Sequence, residues 1–463
     1  MVITSRLTRP GGTRHPIFMP IRESLADALV ESFLGGSWTV AGLSSRAGSL
    51  FAIERNREWL ESLVTAVLVA FPASSPRPTV RTLKSFVINN TQVRRGERRE
   101  GEGRLKRQRP EWKPSMQPAD GEPSSWKIPE IVSPGQLADW LGLTSGELDW
   151  FADPAGWGCD LRREPLRHYR YHWIQKPSGG IRLLESPKPR LKYIQRKILD
   201  EIVSCIPVHD AAHAFRTGRS IVSHVTPHTC QQVILHIDLR EFFPSVRASQ
   251  VNATFRTMGY PEKVASLLTG LCTVSTPSHV LHAGIQRVHD EGTWLRHRAP
   301  HLPQGAPTSP ALANLCSRRL DARLAGLARV AQVTYTRYAD DLVFSGGREF
   351  AKSLPRFRIL VNAIVLDEGF EIRHRKTHVM FQGTRQQIAG IRVNHHPNIP
   401  RETYDELKAI LHNCRRFGWQ SQNREGHLYF REHIQGKLAY WSSICPERIS
   451  KLLQMFDLID WAE

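Results

Sequence analysis

Val333-Thr334-Tyr335-Thr336-Arg337-Tyr338-Ala339-Asp340-Asp341-Leu342-Val343-Phe344-Ser345 is the stretch on which the fold turns. Two strand-like runs, 333–337 and 342–345, flank Tyr338-Ala339-Asp340-Asp341 and predict a hairpin with paired aspartates at its tip. Adjacent carboxylates repel, so folding alone gives little reason to place them there. A divalent cation removes the objection, because Mg²⁺ takes oxygen ligands from one or two carboxylates together with substrate phosphates. Asp is also a favoured turn residue, so the four residues taken alone fit a polar turn as well.

A further carboxylate supplies context. Val233-Ile234-Leu235-His236-Ile237-Asp238 reads as a buried strand that ends on Asp238, about a hundred residues before Asp340. Three carboxylates converging at strand ends can hold two metal ions roughly 3.5–4 Å apart, a pair suited to in-line phosphoryl displacement. Taken singly, Asp238 also fits a helix N-cap or a solvated strand end.

Asp238 with Phe243, then Leu302-Pro303-Gln304-Gly305-Ala306-Pro307-Thr308-Ser309-Pro310, then Tyr338-Ala339-Asp340-Asp341, resemble the ordered palm motifs of reverse transcriptases, in particular the bacterial retron type. The resemblance runs from about residue 130 to the C-terminus. It implies an α+β right-hand polymerase fold with fingers, an antiparallel-sheet palm and a helical thumb, here behind an N-terminal helical extension. The implied reaction is template-directed addition of deoxynucleotides to a hydroxyl primer. Asp238 and Asp340 would bridge two Mg²⁺ ions (Mn²⁺ as the substitute ion), with Asp341 and the Leu239 backbone carbonyl as further ligands.

Other motifs carry chemistry of their own. In Trp173-Ile174-Gln175-Lys176-Pro177-Ser178-Gly179-Gly180-Ile181-Arg182, a Ser-Gly-Gly turn separates two strand-like runs and puts Lys176 and Arg182 near hairpin ends. By resemblance these cations meet the incoming triphosphate, Arg182 foremost, since a guanidinium makes paired charge-assisted bonds to phosphate. They are also what solvated strand ends of a basic protein look like. Phe243 occupies the position of an aromatic steric gate against a 2′-hydroxyl, and Phe242 reads as core. Gln304 would contact the nucleotide sugar, and Gly305 would let backbone approach it, or simply make a turn. Pro310 suits the first turn of a following helix.

Two elements bear on the retron branch. His213-Ala214-Phe215-Arg216-Thr217-Gly218-Arg219-Ser220 is similar to the retron stretch before the first aspartate. The Asn-Ala-x-x-His element that follows in retron enzymes is kept only in its His, His228, an RNA-binding candidate by resemblance. Ile388-Ala389-Gly390 likewise replaces a usual Val-Thr-Gly only in part. The implied partners are a cognate structured non-coding RNA, its branched RNA–DNA product, dNTPs and a separate effector protein in antiphage defence. Alternatives are another bacterial defence or group II intron-like reverse transcriptase, or an RNA-binding scaffold with secondary polymerase activity. A group II type normally adds a C-terminal module, and none is recognised before Glu463.

Composition agrees with a nucleic-acid enzyme. Against 63 Lys and Arg stand 44 Asp and Glu, a formal charge of +19. That excess attracts a phosphate backbone independent of sequence, although a merely soluble basic protein has the same pI. The seven cysteines are dispersed, odd in number and lack any Cys-x-x-Cys, which argues against a disulfide framework or a zinc module. Without a signal-like run or a membrane-length apolar stretch, the expectation is a bacterial cytoplasmic protein with no membrane partner.

The periodicity predicts helices over 21–33 and 56–71, with Trp59, Leu60, Leu63 and Val67 on one face. Residues 1–92 therefore read as an N-terminal helical extension. The charged run 93–130 reads as a basic flexible linker, 131–395 as fingers and palm, and 396–463 as a helical thumb. Capping signals stand at Ser133-Pro134 and Thr144-Ser145-Gly146-Glu147. Residues 185–205 predict a long basic helix. In the thumb, helices are expected over 400–417, 430–441 and 447–461, with Arg401, Arg415 and Arg416 as duplex-tracking candidates or, equally, a solvated face.

Overall fold

The computed structural model describes residues 21–51, 58–73, 75, 77–100, 116, 126–160, 164–175, 181–285 and 291–461. They fall into two compact units, one of Met1–Ser125, Glu130–Leu137 and Phe255–Ala265, the other of Trp126–Pro129, Ala138–Thr254 and Ser266–Glu463.

The first unit is helical. Its α1 (Ile21–Leu34), α2 (Val40–Gly48), α3 (Glu58–Ala70), α4 (Val80–Asn89) and α5 (Thr91–Glu100) enclose a core that includes Leu29, Phe33, Leu43, Trp59, Leu63, Leu83 and Val93. The four residues read as one face of α3 are all buried. Helix α5 crosses the boundary expected at 92. Val93 is fully buried, and a Cβ on Gly96 would stand 2.7 Å from the Trp59 ring, so the start of the charged run packs instead of tethering. Most of the rest of that run, 101–115 and 117–125, lies outside the described residues. The segment Phe255–Ala265 joins this unit through hydrogen bonds from Arg256 to the Pro78 carbonyl and from the Val80 amide to Glu262, both 3.0 Å.

The second unit is built on β1 (Tyr169–Gln175), β2 (Ile181–Pro187), β3 (Val233–Asp238), β4 (Thr334–Tyr338), β5 (Asp341–Gly346) and β6 (His378–Phe381), with a small hairpin of β7 (Gln387–Ile388) and β8 (Ile391–Arg392). Strands β1 and β2 pair antiparallel; the Ser-Gly-Gly turn expected at 178–180 lies outside the described residues. The main sheet is antiparallel in the order β4-β5-β3-β6. β3 is buried along nearly its whole length, which is why it reads as a continuous apolar run rather than an alternation. The helices Arg318–Val330 and Arg348–Asp367 pack on the sheet, where Phe344 stacks on Tyr335 at 4.7 Å and meets Phe357 edge-on at 5.1 Å.

The basic helix is shorter than expected and covers Pro189–Glu201, because residues through Pro187 belong to β2 and proline opens the helix at its first turn. Thr144 and Glu147 form the expected capping box. The C-terminal helices are Arg401–Phe417, Phe430–Ile444 and Pro446–Asp457, whose apolar faces share one core including Leu407, Leu411, Ile434, Trp441, Leu452 and Phe456. Among the described residues no helix is long and apolar enough to cross a membrane.

Candidate active site

The register of the main sheet brings the aspartates together. Asp238, the last residue of β3, lies directly opposite Asp341, the first of β5. Residues opposite each other on antiparallel strands project to the same face. Tyr338 pairs with the same Asp341, so Ala339 and Asp340 alone form the turn between β4 and β5. So short a turn needs left-handed backbone, which Ala339 adopts at a φ of 54°. The Asp340 carbonyl accepts from the Leu239 amide at 2.9 Å, tying the hairpin tip to the end of β3.

Three carboxylates at one point are electrostatically costly. Burial first, then the charges of Asp341 and Asp238, push the Asp340 carboxyl up to about 6, with Lys376 opposing. Partial compensation comes from two cations, Lys376 with Nζ 3.1 Å from Asp238 Oδ2 and Arg373 with NH1 3.5 Å from Oδ1, while His236 Nε2 lies 2.9 Å from Asp341 Oδ1. Asp238 Oδ1 nonetheless remains buried with no hydrogen-bond partner. An orphaned buried oxygen, a proton-retaining neighbour and an all-oxygen donor set fit a hard divalent cation such as Mg²⁺ or Mn²⁺.

The hairpin tip is held from below by a buried ion pair. Arg337 and Asp321 are both fully buried and meet in a bidentate contact, Nε to Oδ1 at 2.8 Å and NH2 to Oδ2 at 2.7 Å. Arg337 NH1 also donates to Asn314 Oδ1 at 3.0 Å and to the Ala339 carbonyl at 3.1 Å, gripping the turn itself. Asn314 in turn donates to the Ala214 carbonyl at 2.7 Å.

Phe243, five residues after Asp238, and Gly305 line an open cavity of about 430 Å³ together with Lys192 and Arg196 from the basic helix. Phe242 turns the other way into the core, stacked on Phe370 at 5.7 Å. The Gln304 carbonyl accepts from the Glu185 amide at 2.8 Å, joining β2 to the 302–310 loop. Gly305 sits at a φ of 133°, with Glu185 O 3.2 Å from where a Cβ would be, so glycine is required there. Arg182 is exposed on β2, three residues from this junction. Lys176 lies outside the described residues. Arg401, Arg415 and Arg416 are exposed on the helix Arg401–Phe417, whose buried residues are Leu407, Leu411 and Cys414.

His228 is a core residue, which corrects its reading as an RNA contact. It is fully buried, Nδ1 meeting the Ser345 hydroxyl at 2.6 Å and Nε2 the Thr336 hydroxyl at 2.7 Å. Burial pushes its pKa down to about 3, so it carries no charge for phosphate at neutral pH. Sequence reasoning also missed several supports: Arg337–Asp321–Asn314, Arg373 and Lys376 on Asp238, His236 on Asp341, and Lys192 and Arg196 in the cavity. Only His236 had a local signal, two residues before Asp238 on one strand face.

Comparison with known proteins places the chain in a family. A family model described as reverse transcriptase (RNA-dependent DNA polymerase) matches residues 174–410. The retron Mx65 reverse transcriptase of Myxococcus xanthus is 43% identical over 342 residues, 72% of this chain and 74% of that protein. The retron Mx162 reverse transcriptase of the same organism is 36% identical over 331 residues, 68% and 64% of the two chains. The retron Ec86 reverse transcriptase of Escherichia coli is 30% identical over 288 residues, 62% and 79%.

Proposed function

This chain belongs to the reverse transcriptases, in their bacterial retron branch, and on that premise we propose that it copies a cognate structured non-coding RNA into a branched RNA–DNA product. It is an RNA-directed DNA polymerase, and its family implies the right-hand polymerase fold and a divalent metal ion. The observation that carries the proposal is the opposition of Asp238 and Asp341 across β3 and β5, with Asp340 in the turn above them.

In this reading Asp238, Asp340, Asp341 and the Leu239 carbonyl hold two Mg²⁺ ions. Held there, such ions would supply activation of the primer hydroxyl and neutralisation of charge on the departing pyrophosphate. Arg182 receives the triphosphate, and Lys192 and Arg196 add positive charge to the cavity lined by Phe243 and Gly305. Phe243 closes the sugar pocket to a 2′-hydroxyl, since a phenyl ring offers that group no hydrogen-bond partner. Gln304 and Gly305 line the sugar's other side. Arg337 keeps the hairpin tip in place without touching substrate.

We assign 131–395 to fingers and palm and 396–463 to the thumb, with Arg401, Arg415 and Arg416 following the duplex backbone. The template would be primed from a 2′-hydroxyl of the RNA itself, and the product would act in antiphage defence with a separate effector protein. The test is to express the gene with its flanking DNA and analyse copurifying nucleic acid. The expected result is single-stranded DNA joined to RNA through a bond cleaved by debranching enzyme, and its absence from an Asp340→Ala variant. RNA without attached DNA, in amounts equal for both proteins, would favour the scaffold reading instead.

A further inference from the structure

Away from the aspartates, the carboxylate of Glu185 and ring nitrogens of His297 and His301 lie within 4.8 Å of one another. All three residues are buried, Glu185 and His301 completely. They come from three places in the chain: β2, the helix Glu291–Arg298, and the residue preceding the 302–310 loop.

The hydrogen bonds around the cluster define where protons can be. His301 Nδ1 stands 2.8 Å from the Ala299 carbonyl, which can only accept, so Nδ1 carries hydrogen. His301 Nε2 then points its lone pair at Glu185 Oε2, 2.9 Å away. In the neutral ring two acceptors face each other there, a contact that either a proton or a metal ion relieves. The other carboxylate oxygen, Oε1, accepts from the Thr276 hydroxyl at 2.6 Å.

A proton on His301 would satisfy that pair and leave the third residue unexplained. His297 has Nε2 3.4 Å from the Glu241 carboxylate, while its Nδ1 is buried with no hydrogen-bond partner. An unpaired nitrogen in a dry site costs stability. A metal ion accounts for the whole arrangement, since metal-ligating histidines commonly anchor their other nitrogen on a carboxylate or backbone carbonyl, as both do here. Two imidazoles and one carboxylate form a borderline donor set that suits Zn²⁺ better than Mg²⁺.

We propose that Glu185, His297 and His301 bind a zinc ion, a site separate from the polymerase centre. The ion pins β2 to the start of the 302–310 loop, beside the Glu185–Gln304 backbone bond. Three protein ligands leave the fourth position of a tetrahedral ion open to water.

The test is elemental analysis of the full-length protein purified from zinc-supplemented cells, followed by exchange with Co²⁺. The expected content is about one zinc per chain, kept in Asp340→Ala and lost in His297→Ala and His301→Ala, whose folding is checked by circular dichroism. Exchanged wild-type protein should show the visible bands of four-coordinate cobalt, a readout that needs no variant. Wild-type protein with less than about a tenth of a zinc and no cobalt bands would overturn the proposal, leaving a proton-bridged Glu–His pair. Zinc undiminished in folded His301→Ala would overturn it as well.

Discussion

Asp340 shows most plainly how the candidate site works against the fold. Its carboxyl is raised from the ordinary 3.8 to about 6, so without metal the folded protein holds that proton more tightly than the unfolded chain. The group's contribution to stability is complete below about pH 3.8 and is lost as pH rises through about 6. At pH 8, Asp340→Asn should therefore raise the melting temperature of metal-free protein while abolishing DNA synthesis. Added Mg²⁺ should stabilise wild type at pH 8, progressively less below about pH 6, and the variant little at any pH; calorimetry with and without EDTA reads all three. Arg337 and Asp321 oppose this trend. Removing one partner of a buried pair leaves an uncompensated charge, so Asp321→Ala should cost about 3–5 kcal/mol in urea unfolding. Unchanged stability would mean that the pair does not hold the hairpin.

Among elements, those governed by local pattern were readable from sequence. The β4–β5 hairpin, β3, the capping box at Thr144 and the three C-terminal helices follow from alternation, periodicity and turn residues. What could not be read depends on partners distant in sequence. Asp321 and Asn314 have no local mark as partners of Arg337, and nothing near Arg373 or Lys376 points to Asp238. His228 misled because a motif position says nothing of burial; the hydroxyls of Thr336 and Ser345 decide its role. The helix Arg401–Phe417 presents Arg415 and Arg416 outward, as a duplex-tracking face would. The double substitution Arg415→Glu and Arg416→Glu should weaken RNA binding at every sequence and reduce the salt slope of log K by about 2. A slope equal to wild type would make those residues a solvated face.

At the scale of the molecule, the charge of +19 and the order of motifs indicated a nucleic-acid polymerase, but not where its compact units divide. Helix α5 continues to Glu100 because Val93 and Gly96 pack on a core that composition alone does not reveal. Phe255–Ala265 groups with the N-terminal helices although it lies far away in sequence, and only tertiary hydrogen bonds show this. The account nonetheless rests on one place, the end of β3 beneath the β4–β5 turn. Anomalous diffraction from crystals of the protein with its RNA, soaked in Mn²⁺ and a non-hydrolysable dNTP, examines that place directly. The expected peak lies about 2 Å from carboxylate oxygens of Asp238 and Asp340, with the nucleotide's phosphates beside it. A bound nucleotide with no Mn²⁺ peak at those aspartates would contradict the account.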